Sequence, residues 1–177
     1  MKNIFLVIII ISILFPTTIL AKQTLLLRDP DISDDKIAFV YGGMLIGSWF
    51  MYKSSHRLSN GVLLLLALIW DGITYSFFYW IPSVPAAIVM IIVHGMGIPV
   101  ITISRTSIIQ KNTPNEYHGR LFSMVHLAVV GMTAMSSALV GILAAGMDVR
   151  YVFLIFGSGA VISGLIGLLS KQIRQLN

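Results

Sequence analysis

Asp71, His94 and Tyr75 are the residues whose types and positions allow chemistry. Asp71 lies ten residues into an apolar run that begins at Gly61, and His94 lies in the run that follows. A charged side chain at the centre of a bilayer costs at least about 2.5 kcal/mol, so an acid at that depth is a functional hypothesis by default. Asp71 suits the uptake and release of a proton, or contact with a substrate. It suits equally a structural bond to a neighbouring helix through Tyr75, Thr74 or His94. His94 has the same two readings, a place on a proton or substrate pathway or a hydrogen-bonded packing role. Gly95, Gly97 and Pro99 follow it closely, and such residues let a membrane helix bend.

Other chemistries lack their residues. There are no cysteines, which excludes disulfides and thiolate metal sites. His118 and His126 have no third ligand at workable spacing, so no metal is expected. The chain has no nucleotide-binding loop, nucleophile elbow or paired carboxylates. It lacks the soluble domain of an ATP-driven pump and the second buried aspartate of an intramembrane protease. The expectation is a protein that is not an enzyme and holds no cofactor.

The elements that must position these residues are membrane helices. The 177 residues are 56% hydrophobic and only 11% charged, against about 25% charged in a soluble domain. Mean hydropathy is +0.89. A hydrocarbon core takes about 20 apolar residues per helix. Six runs fit: 4–21, 37–52, 61–81, 84–104, 121–147 and 151–169. They predict an all-α membrane protein in one domain, with 105–120 as a polar loop. The first run has a rival. Lys2, an apolar stretch and Ala21 resemble a cleaved signal peptide, although Ile19 stands where a small residue is wanted.

With six spans, the 12 Lys and Arg divide unevenly. Lys2, Lys53, Arg57, Arg105, Lys111, Arg120, Lys171 and Arg174 fall on one side. Lys22, Arg28, Lys36 and Arg150 fall on the other. Positive charge favours the cytoplasm, so both termini are expected there, with the protein in the inner membrane. The net charge of +5 is spread between runs. It reads as topology, not as a nucleic-acid surface. Trp80 and Tyr79 read as an interfacial aromatic belt. Trp70, Tyr75, Phe77 and Phe78 crowd the same half of the third run.

Small residues mark the faces where helices approach. Gly43 and Gly47 form a small-xxx-small pair in the second run; Gly131, Ser136, Ser137, Gly141 and Ala145 line the fifth; Gly157, Gly164 and Gly167 recur in the sixth. In lipid such residues allow close backbone packing. A sharper reading makes the second and fifth runs equivalent helices of two three-helix repeats.

The stretch Gln110-Lys111-Asn112-Thr113-Pro114-Asn115-Glu116-Tyr117-His118-Gly119-Arg120-Leu121-Phe122-Ser123 resembles a loop of major facilitator superfamily transporters, the one between the tenth and eleventh helices. It is most similar to the drug and macrolide exporter branch. His118 stands where an arginine is common. Gly42-Gly43-Met44-Leu45-Ile46-Gly47-Ser48, with Lys53, His56 and Arg57, looks like the eighth helix and its basic loop. Phe15-Pro16 suits the seventh. The resemblance covers the whole chain and implies the C-terminal six-helix half of such a transporter. It implies a cytoplasmic gating role for Pro114, Glu116, Gly119 and Arg120. The competing reading of Lys111 and Arg120 is topology and lipid phosphate.

The resemblance implies a permease that exports small molecules by alternating access, with a small-molecule substrate and the proton as candidate coupling ion. One half supplies one wall of a pathway. A second six-helix half or a homodimer is therefore an expected partner, besides the lipid bilayer. The rival class is a non-transporting membrane interaction subunit or an inactive truncated relic.

Overall fold

Helix is the element these runs must form, because a chain in hydrocarbon has to satisfy its own backbone. The computed structural model describes residues 34–54 and 57–176, all in helices and short connections. The expected first span, 4–21, lies outside the described residues. Helix α1 is Asp34–Ser54, α2 is Asn60–Phe77, and a 3-10 turn, Phe78–Trp80, closes α2. Then come α3, Val84–Gly95; α4, Gly97–Asn112; α5, Asn115–Gly146; α6, Val149–Leu169; and a single turn α7, Lys171–Arg174. Four described stretches are long and apolar enough to cross a membrane: Asn60–Trp80, Pro85–Asn112, Asn115–Gly146 and Val149–Leu169.

Local signals set the ends. Ser59 caps α2 by accepting from the Val62 amide at 3.3 Å, and Asp148 caps α6 by accepting from the Arg150 amide at 2.9 Å. Both are residue types that satisfy first-turn donors. Pro114 precedes α5, and its carbonyl accepts from Tyr117 at 3.0 Å. The stretch expected as a loop, 105–120, is helical except at Thr113 and Pro114. Its polar residues are the solvated ends of two helices. Hydropathy reads exposure, and polar helix ends look like loop on that measure. Gly119 therefore sits inside a helix, where an added Cβ would meet nothing within 4 Å.

Helix α2 is the centre of the bundle. It packs most extensively on α6, and next on α4. At the α2–α6 crossing a Cβ on Gly72 would lie 2.6 Å from the Gly157 carbonyl and 2.8 Å from the Ala160 Cβ. The backbones approach as closely as they do because these side chains are small. Gly164 and Gly167 accept Ile69 and Leu65 of α2 in the same way. Helix α1 lies against α3 and α4. Gly43 faces the Ile92 carbonyl and Gly47 the Met96 carbonyl, with no room for a Cβ. The chain end is tied to the start of α2: the Gly61 amide donates to the Leu176 carbonyl at 2.9 Å, and Ile173 is buried there.

Candidate functional site

The α2 span runs from Asn60 to Trp80, so Asp71 stands near its middle. At 1.5 Å per residue it is about 16 Å from Asn60, roughly half the hydrocarbon thickness. The apolar face of α2 turns inward here against α3 and α6, and Asp71, Thr74 and Tyr75 share it. Asp71 and Thr74 are each 3% exposed and Tyr75 1%.

Helix α3 brings His94 to the same place, 1% exposed. His94 Nε2 lies 3.4 Å from Asp71 Oδ1. The other ring nitrogen, Nδ1, lies 3.0 Å from Thr74 Oγ1. Tyr75 walls the group, its ring 6.0 Å from His94 and 5.0 Å from Phe153 of α6. Phe78 stacks on Phe153 at 5.3 Å and closes the group towards the Trp80 end. Three sequence-predicted residues, Asp71, His94 and Tyr75, thus meet in one sealed polar nest inside an apolar bundle.

His94 also stands at a break. Helices α3 and α4 form one span interrupted at Met96. Pro99 has no amide hydrogen to give the Gly95 carbonyl. The Met96 amide turns back to the Val93 carbonyl at 3.4 Å. That carbonyl takes a second bond from another helix: Trp70 Nε1 donates to it at 3.1 Å. Gly97 makes the space, since a Cβ there would stand 3.1 Å from Trp70 Cδ1. The glycines and the proline signalled the bend. Trp70 read only as one of a crowd of aromatics, and no sequence signal marked the bond it makes to α3.

The residues expected at a cytoplasmic gate lie elsewhere. Glu116, Gly119 and Arg120 are exposed on the first turns of α5, and Pro114 is exposed beside them. Among the described residues no ion pair joins Glu116 to Arg120. His118 Nε2 donates to the Thr113 carbonyl at 2.9 Å and its ring lies 6.2 Å from Phe122, which fixes the entry to α5. Gly131 and Gly141 face open space. An apolar cleft between α2 and α6, lined by Ile73, Phe77, Trp80 and Val161, touches neither Asp71 nor His94.

No family model matches the chain, and no curated protein matches it. A solved structure does. The inward-open conformation of the xylose transporter XylE from E. coli superposes with a TM-score of 0.72 at 18% identity. The match covers 96% of this chain and 47% of that one. The fold is that of about half of this transporter. Its helices make the chain a multi-pass membrane protein in contact with lipid. The chain spans about half the length of the transporter it matches, and the likeness carries the fold alone.

Proposed function

We propose that this chain forms one half of a secondary transporter that moves a small molecule across the inner membrane by alternating access, with no enzymatic step. The observation that carries this reading is the half-bundle fold with a long apolar helix, α5, that the other described residues leave almost bare. Within α5, only Val125, Ser136 and Val140 are buried. A second six-helix half would cover that face and supply the other wall. It is a second copy, a separate polypeptide, or further chain. Both termini are cytoplasmic in this reading, following the division of Lys and Arg.

The direction proposed is export of an amphiphilic compound, as the 110–123 motif suggests. Pro114, Glu116, Gly119 and Arg120 then form the cytoplasmic gate that meets the second half. Asp71, His94 and Tyr75 act behind the substrate wall, since their burial keeps them from open solvent. The likeness to a xylose transporter favours a second reading, a sugar substrate.

Proteoliposomes carrying the chain, alone and with a co-purifying partner half, decide between these. The probes are a lipophilic cationic dye and xylose, each with an imposed proton gradient. Dye movement that falls in Asp71→Asn and Arg120→Ala supports export, and xylose movement supports the second reading. A monomer that moves neither probe, with or without a partner, leaves a non-transporting subunit or relic in its place.

A further inference from the structure

We propose that the cleft between α2 and α6 binds one phospholipid with a primary-amine head group, an acyl chain lying in the cleft and the head group held by Arg150, Asp148 and Tyr151. The site does not rest on the transporter reading.

The cleft is apolar by construction. Helices α2 and α6 meet at Gly72 and Gly157 with no room for a Cβ. Ser76 and Ser158 line the cleft, but each turns its hydroxyl into its own helix. Ser76 Oγ donates to the Gly72 carbonyl at 2.9 Å, and Ser158 Oγ to the Ile155 carbonyl at 3.0 Å. What remains is a floor of short side chains between walls of Ile73, Phe77, Trp80 and Ile162, all exposed. The volume is about 590 Å³.

The walls decide the occupant of the apolar part. A transmembrane helix is about 10–12 Å across and docks through small residues that let backbones approach. Ring and branched side chains here hold a second backbone off. A flexible acyl chain lies between such side chains without a docking face of its own. Ile73 and Trp80 are seven residues apart, so the cleft runs about 10 Å from the head-group level into the hydrocarbon. That suits a tail entering from the leaflet at the Trp80 end.

The polar end names the head group. The Tyr79 ring lies 5.0 Å from Trp80 and 5.5 Å from Tyr151 of α6. The two tyrosine hydroxyls interact, and Arg150 and Asp148 both act electrostatically on that of Tyr79. Arg150, Asp148 and Tyr151 are exposed. A guanidinium and a phenol hydroxyl can both donate to a phosphate. Asp148 gives Oδ1 to the Arg150 amide, and a carboxylate keeps acceptor capacity beyond one bond. It complements an ammonium. A cation and an anion side by side among interfacial aromatics match a zwitterion whose ammonium carries hydrogens. An anionic head group would leave the Asp148 charge unmatched, and a trimethylated ammonium has no hydrogen to donate.

The test uses the full chain in phosphatidylcholine vesicles with Trp49→Phe and Trp70→Phe, which leaves Trp80 as the single tryptophan. Brominated acyl chains quench an indole that they touch. Brominated phosphatidylethanolamine should reach half-quenching at a mole fraction about fivefold lower than brominated phosphatidylcholine, the worth of one net hydrogen bond. Asp148→Asn keeps a helix cap and removes the charge, so the preference should vanish. Arg150→Gln should weaken quenching by both lipids. Ser158→Leu fills the floor and should do the same. A chain with Trp49 as its single tryptophan should show no preference. Equal quenching by the two lipids in the parent overturns the proposal. So does a preference that survives Asp148→Asn or appears equally at Trp49, or an Arg150→Gln trace identical to the parent's. Quenching by neither lipid means that a protein segment covers the cleft, and overturns it too. Should Ser158→Leu fail to fold, Asp148→Asn decides.

Discussion

Helices α2 and α5 are both apolar and both long enough to cross a membrane, yet the bundle treats them oppositely. In an 18-residue apolar window of the α2 span 61% of the residues are buried, and in the matching window of the α5 span 11%. Mean hydropathy does not separate them, at 1.8 and 2.0. Lipid accepts an apolar side chain as readily as a protein core does, so hydropathy sets insertion and leaves burial open. Small residues and polar groups decide which helix is enclosed. Helix α2 presents Gly72 to Gly157 and Asp71 to His94. Helix α5 presents Gly131 and Gly141 to nothing within the described chain.

The comparison breaks most visibly at Asp71. Asp71→Ala leaves His94 buried without its partner, and loss of one member of a buried pair costs about 3–5 kcal/mol. We expect a melting transition in detergent lowered accordingly. A double variant, Asp71→Leu with His94→Leu, should recover most of that loss, because both polar groups leave together. Charge in place of a hydroxyl on α5, where the helix meets lipid, would test insertion and not packing.

A smaller break comes at the α2–α6 crossing. Gly72→Leu drives a side chain into the Gly157 carbonyl and the Val161 amide. Backbone cannot move aside as a flexible side chain does, and overpacking of this kind costs about 1–3 kcal/mol. The same melting measurement reads it. Smaller still is Trp70→Phe. It removes one cross-helix hydrogen bond, worth about 1 kcal/mol. Slower amide exchange on α3 and α4 in the parent than in this variant is the expected sign that the bond steadies the break.

These effects also divide what was legible in the sequence. Four of the expected spans were legible because each is a long apolar run, and the helical fold follows from the bilayer. The inward face of α6 was legible because Gly157, Gly164 and Gly167 recur along it. Asp71 was legible as an anomaly, and His94 as one of its possible partners. Their meeting was not, because it depends on the register of α2 against α3, which no local signal carries. Trp70 was hidden for another reason. An indole suits lipid, interface and core alike, and its nitrogen finds a partner in the Val93 carbonyl beside the break at Met96. The polar stretch 105–120 read as a loop because its residues are solvated, while its backbone is helical through Asn112 and again from Asn115.

The mildest effect on the isolated chain is the sharpest test of the comparison. Gly43 and Gly141 occupy helices that the sequence suggested as equivalents, α1 and α5. Gly43 is closed off by the Ile92 carbonyl, whereas a Cβ on Gly141 meets nothing within 4 Å. Gly43→Leu should destabilise the chain by about 1–3 kcal/mol. Gly141→Leu, lying on an open surface, should change its stability by less than about 0.5 kcal/mol. If α5 docks against a second half, the order reverses in the assembled protein. Gly141→Leu would then leave the melting of the isolated chain unchanged and abolish co-purification of the partner, because small residues are what allow close approach of helices in lipid. Should Gly141→Leu leave both readouts untouched, that part of α5 faces lipid, and the exposed face of α1, where Leu45, Ile46 and Trp49 stand open, is the surface to test next.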